Sequence, residues 1–223
     1  MINGIRYGRL CLFGGLLACM ASCTTVTPRP NNLASSALLR PTKYPNTPYA
    51  YRKSGIDFAS YDKIIVKPVS IYAGTGKRFD GLSAEDLTML TNDMHREFSS
   101  TLNKRFQRVP APGKSTLEVE LTLLDVKKTK VVLSTASHIM PVGLALNAGF
   151  QLADKPGSFS GSVIYAVEVR DSLSGNILYA SISNISANAL DIKASFEPLS
   201  AAEAGIRTGA KILLQDLSGT PKQ

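Results

Sequence analysis

The sequence predicts an α+β domain of two layers, a mostly antiparallel sheet with helices packed on one face. Three observations predict it. Leu87, Leu90, Met94, Phe98, Leu102 and Phe106 recur at spacings of three and four, the stripe of a helix lying on a sheet. Leu117, Val119, Leu121 and Leu123 alternate with Glu118, Glu120 and Thr122, the period of two of a strand with one dry and one wet face. Residues 162 to 185 read as two strands around a turn, and a second apolar-striped helix follows them.

The chain has 223 residues, 44% hydrophobic and 19% charged, which suits one globular domain with extensions. Its start has the parts of an export leader. Arg6 and Arg9 form a positive flank, Leu10 to Ala18 an apolar run, and Ala18 or Ser22 a small residue before a cleavage point. The run is short of the roughly 20 residues that cross a bilayer, so a processed leader is the better reading than a permanent span. All three cysteines, Cys11, Cys19 and Cys23, lie within or at the end of it, and a disulfide-stapled exported domain would carry them in its body.

Leu16-Leu17-Ala18-Cys19 and Met20-Ala21-Ser22-Cys23 each resemble a bacterial lipobox, whose cysteine thiol becomes a thioether to diacylglycerol. A thiol is the side chain nucleophilic enough to take a lipid there and keep it. The site read here is Cys23, with Cys19 as the alternate. An ordinary leader with incidental cysteines is the plainer competitor. Thr24 follows Cys23, and by resemblance to lipoproteins the lack of Asp there points to the periplasmic face of the outer membrane. The expected organisation is a signal peptide at 1–22, a tether at 23–50 rich in Pro, Thr and Asn, and a single domain at 51–219. Tyr44, Tyr49 and Tyr51 are apolar enough for the end of the tether to pack back on the domain.

Within the domain, "KIIVKPVSIY" (63–72) is β-branched and reads as the first strand, with Pro68 marking an edge or bulge. "AGTGKRFDG" breaks the chain. Ser83, with Asp86 three residues on, caps a helix expected over 84–106. Asp171, Ser174 and Gly175 supply the hairpin turn. Ser200 and Glu203 predict a second capping box, Ile206, Ala210, Leu213 and Leu217 a stripe, and Gly219 with Pro221 the helix end.

Several phrases, "SALLRPTKY", "YRKSGIDFASYDKIIVKPVSIY", "LEVELTLLDV" and "SVIYAVEVRDSLSGNILYAS", together with the last helix, resemble the DUF3313 family of bacterial lipoproteins over nearly all of residues 35–217. Ser174-Gly175 stands where that family usually has Thr-Gly, and this chain has no Trp. The resemblance implies an anchored lipoprotein without an established activity, so it assigns no residue a role.

Chemical motifs are scarce. "IYAGTGKR" lacks the first glycine and the Ser or Thr of a phosphate-binding loop, and Phe79 stands where a dinucleotide fingerprint needs its third glycine. In "GSFSG" (157–161) Phe159 occupies the place of a hydrolase nucleophile. His95 and His138 have no nucleophile and orienting acid at motif spacing, and read as structural or solvated. Two histidines without a body cysteine predict no transition-metal site, and no cofactor is expected. Glu118 and Glu120 share one strand face, which reads as a solvated face before an acid/base pair. Catalytic residues are expected to be none.

The net charge is +8, and losing Arg6 and Arg9 with a leader takes it to +6. That favours anionic neighbours, while export and the lack of a basic-aromatic motif argue against nucleic acid. Residues 131–153 carry no charge apart from neutral His138, and Lys127, Lys128 and Lys130 stand directly before them. Pro141, Gly143 and Asn147 interrupt the segment, which reads as internal packing before membrane contact; its basic entry is the candidate contact with an anionic surface. The function expected is a non-enzymatic docking or structural envelope lipoprotein, with the membrane as one partner and an envelope protein, peptidoglycan or anionic lipid as another. The alternative is an envelope lipid- or glycan-modifying enzyme with a site built from distant residues.

Overall fold

The computed structural model describes residues 30–73, 79, 81–127, 161–186 and 199–219. These form an eight-stranded mixed sheet and two long helices, the α+β architecture expected. The strands are β1 (Arg40–Pro41), β2 (Tyr49–Arg52), β3 (Lys63–Val66), β4 (Ser70–Ile71), β5 (Gln107–Arg108), β6 (Thr116–Lys127), β7 (Ser162–Asp171) and β8 (Ile177–Ser186). Their order is β1-β2-β8-β7-β6-β3-β5, with β4 also against β6. Pairing is antiparallel from β1 through β6 and parallel where β3, β4 and β5 join. The long central ladders are thus antiparallel, as the hairpin predicts.

The helices are α1 (Ala84–Leu102) and α2 (Ser200–Leu217), side by side on one face. Leu90, Met94 and Phe98 of α1 share a core with Leu117, Val119, Leu121 and Leu123 of β6 and with Ile206, Ala210, Leu213 and Leu217 of α2. Phe98 meets Tyr165 edge to face at 5.6 Å between centroids. Helix α2 approaches the sheet through Gly205 and Gly209. A Cβ on Gly209 would fall 1.7 Å from the Tyr165 hydroxyl, and one on Gly205 would fall 2.7 Å from Val163.

Four expectations are corrected in detail. Helix α1 begins at the predicted Ser83–Asp86 capping box but ends at Leu102, four residues early; Phe106 still reaches the core from the turn beyond it. The predicted capping box of Ser200 and Glu203 does not form, because Ser200 is already helical and Leu199 is the N-cap, without a side-chain bond. Pro68 divides the first predicted strand into β3 and β4, both along β6, since proline cannot donate to a ladder. The fourth concerns how much of the predicted tether at 23–50 packs back on the domain: its end does so as expected, and so does the described stretch before it. Its described part, from Pro30, contributes β1 and the start of β2, with Leu39 fully buried.

That segment covers the sheet face opposite the helices. Leu39 packs with Leu124, Ile164, Ala166, Ala180 and Ile182, and Leu33, Tyr49 and Tyr51 lie against them. Leu123 faces the helices and Leu124 the N-terminal strap by ordinary alternation, and a bulge between Leu123 and Asp125 then shifts the phase, so that Val126 returns to the helix face. Lys127, Ser162 and Ser186 lie in register at one end of three neighbouring strands.

Candidate functional site

The sequence-predicted residues fall on both faces of the sheet. On the strap face, register pairs Glu118 with Arg170 and Glu120 with Glu168. Three carboxylates close together on neighbouring strands repel unless cations intervene. Two do. Lys67 approaches Glu118 at 3.2 Å, and the Arg170 guanidinium reaches Glu120 at 3.4 Å and Glu168 at 2.9 Å. Glu168 is 7% exposed, and its other oxygen accepts the backbone N–H of Ser35 at 2.5 Å. The network thus ties the strap to the central strand. Its carboxylates are engaged as acceptors, so Glu118 and Glu120 act in this arrangement as structural ions. Glu168 and Arg170 were not singled out by the sequence, although alternation from Val167 and Val169 places both on the polar face.

His95 lies on the other side of the sheet, on α1, and forms no pair with those carboxylates. Its Nε2 is 3.2 Å from the Val66 carbonyl, and since a carbonyl only accepts, Nε2 carries the proton. The imidazole thereby serves the end of β3, beyond the residues that β5 pairs. Beside it an open groove of about 390 Å³ is lined by His95, Arg96, Ser99, Ser100, Asn103 and Arg108. Arg96 is bound to Asp93 at 2.7 Å, and the Ser99 hydroxyl is sealed from solvent. Among the described residues no three His, Cys, Asp or Glu side chains gather to hold a metal ion.

Polar groups beneath α2 hold the helix. The Tyr179 hydroxyl donates to Asp216 at 2.9 Å; burial, and then the Asp216 charge, push its pKa far above the ordinary tyrosine value. Burial does the same to Tyr165, offset in part by a hydrogen bond with Ser183. Arg52 donates to the Asp216 carbonyl at 2.9 Å, and Arg105 to the carbonyls of Leu217 and, at 3.0 Å, Phe58. Two guanidinium groups at the negative end of a helix are favourable both as donors and by charge. No sequence spacing pointed to them, because they come from β2 and from the turn after α1.

Of the predicted contact residues, Lys127 is exposed at the end of β6. Lys128, Lys130, Cys19, Cys23, His138 and the uncharged segment 131–153 lie outside the described residues. Among the described residues no helix is long and apolar enough to cross a membrane.

The model of the family described as "Protein of unknown function (DUF3313)" matches residues 29–213. No curated protein matches the sequence. Among solved structures, a PelC dodecamer from Paraburkholderia phytofirmans is 12% identical, with 73% of this chain and 96% of that chain covered and a TM-score of 0.37. A point variant of the same dodecamer gives 13% identity, coverage of 74% and 95%, and a TM-score of 0.36. A Helicobacter pylori protein described as a neuraminyllactose-binding hemagglutinin homolog gives 9% identity, coverage of 77% and 88%, and a TM-score of 0.33. At such TM-scores these likenesses say nothing of what this chain binds.

Proposed function

Since this chain belongs to the DUF3313 family, whose function is unknown, we propose its role from its own residues: it is a lipid-anchored protein of the bacterial cell envelope, whose domain docks or braces and catalyses no reaction. The observation that carries the reading is the pair of lipobox-like tetrapeptides ending in Cys19 and Cys23, behind a leader and ahead of a body without cysteine. The anchor is at Cys23, and Thr24 after it favours the periplasmic face of the outer membrane. The docking role is supported by the use of the polar groups named above. Glu118, Glu120 and Glu168 neutralise cations, and His95 serves a strand carbonyl.

Intact-mass measurement of protein purified from envelopes tests the anchor. A mature N-terminus with a diacylglycerol-modified cysteine is expected, and replacing Cys19 and Cys23 together by Ser should move the protein to the soluble fraction. An unmodified N-terminus with unchanged fractionation would sink the reading. The basic entry has its own test: changing Lys127, Lys128 and Lys130 to Gln should weaken binding to anionic vesicles more at low salt than at high. Unchanged binding would remove those lysines from the contact surface.

A further inference from the structure

We infer that the anchored domain lies with its strap-covered sheet face toward the bilayer and its helical layer turned away. The inference rests on the proposed anchor at Cys23. What limits the domain is the length of chain between that anchor and Pro30, the first described residue. Pro30 is buried, and its carbonyl accepts the Ser36 hydroxyl at 2.9 Å. Next to Ser36, the Ser35 N–H is bound to Glu168, and Leu39 is buried in the apolar cluster of the same face. The docked chain therefore starts close to Glu168 on β7. That strand is fourth of the seven in the order β1-β2-β8-β7-β6-β3-β5, the middle of the sheet.

Only residues 24–29 separate Cys23 from Pro30. Seven steps cover about 25 Å at full stretch and roughly 15 Å as a flexible coil. For the helices to face the lipid, this chain would first have to reach a rim of the domain. The lateral margins are three strand spacings away, roughly 14 Å. The nearer end of β7, three residues past Glu168, is roughly 10 Å away. It would then have to descend past the sheet and a helix layer about 10–12 Å thick, bringing the path to roughly 25–30 Å. That is at or beyond full extension, whereas the opposite orientation needs almost none of it. The surface presented to the headgroups is then the outer side of the strap, where Asn31, Asn32, Ala34, Ala37 and Arg40 are exposed. It is polar and small-chained, fit to rest on hydrated headgroups without inserting.

Single cysteines in the lipidated full chain test this, because the body has none and a thioether blocks Cys23. Ala37→Cys reports from the strap and Arg207→Cys from the exposed side of α2. Each is labelled with a fluorophore and reconstituted into phosphatidylethanolamine/phosphatidylglycerol vesicles containing a headgroup-attached quencher. Quenching should be several-fold stronger at position 37 than at position 207. Inserting twenty Gly/Ser residues between Val26 and Thr27 should erase the difference. Equal quenching without the insertion, or stronger quenching at 207, would overturn the orientation. Failure of the anchor itself shows separately, as protein that does not float with vesicles. A thioether found on Cys19 would lengthen the span to roughly 38 Å and overturn the inference while leaving the anchor intact.

Discussion

Gly209 sets how closely the second helix can lie on the sheet. A methyl there would meet the Tyr165 hydroxyl at 1.7 Å, and Tyr165 is fully buried with a ring contact to Phe98. Gly209→Ala is therefore expected to cost on the order of 1–3 kcal/mol in urea denaturation, as overpacking does. In a Tyr165→Phe background the same change should cost less, because the nearest atom is gone; an identical cost in both backgrounds would show that this contact does not set the approach. Asp171 gives a second residue-scale prediction. The Ser174 N–H holds its carboxyl below the usual value against the opposing effect of burial, helped by the hydroxyls of Ser174 and Tyr61 and the Leu173 N–H. A carboxyl depressed in the folded state contributes stability that is present above its unfolded pKa and is lost as pH falls through the folded one. Stability should thus decline on acidification below about pH 4, and Asp171→Asn should flatten that decline. An unchanged acid slope in the variant would remove Asp171 from the account. Asp171 and Gly175 were readable as turn residues in the sequence. Gly205 and Gly209 were not, because two glycines in a helix look like weak helix formers until the element they approach is known.

At the level of elements, patterning was most legible where one rule acted alone. The α1 stripe and the β6 alternation each declared a buried face, and the register then put Phe98 and Val119 in one core. Phe98→Ala is expected to cost about 3–5 kcal/mol, whereas Glu118→Ala should cost under about 1 kcal/mol, because its partner Lys67 is 45% exposed and surface pairs contribute little. Similar small effects at both would mean that the two faces have been exchanged. The helix starts show where the sequence rule stops. Ser83 accepts the Asp86 N–H at 3.0 Å and Asp86 accepts the Ser83 N–H at 3.1 Å, so Ser83→Ala should lower the melting temperature by the equivalent of about 0.5–2 kcal/mol. Ser200-x-x-Glu203 has the same spacing, yet the helix starts one residue sooner, with Ser200 and Ala201 buried against the body. Tertiary packing there overrides a local signal. The bulge at Leu124 was hidden for a related reason. Leu123 and Leu124 take opposite faces as any neighbours in a strand do, and only an extra residue returns Val126, three positions on from Leu123, to the same face as Leu123.

The whole molecule differs most from its sequence reading at that second face. One wet face was expected from Glu118 and Glu120, and the lower part of the sheet, which carries them, obeys. The upper part is dry, because the strap from Pro30 to Pro41 lies over Leu124, Ile164 and Ile182. Proline, asparagine and serine made this segment read as a tether, since they disfavour helix and sheet interiors. Such a composition does not prevent irregular chain from docking through one leucine and one carboxylate. The consequence is that packed chain is already present at Pro30, before the predicted domain start at 51, and it can be measured. A soluble variant beginning at Pro30 should melt as the full mature domain does. One beginning at Ala50 loses the burial of Leu39, about 1.5–3 kcal/mol for that side chain alone, and the Ser35 bond to Glu168. It also uncovers the apolar patch beneath, so it should melt several degrees lower and aggregate on heating. Leu39→Asp in the longer variant should reproduce much of the loss by placing a carboxylate against Ile164 and Ile182. Equal melting of the variants starting at Pro30 and at Ala50 would mean that the strap rests on the sheet without holding it, and the short span to the anchor would then no longer fix which face meets the membrane.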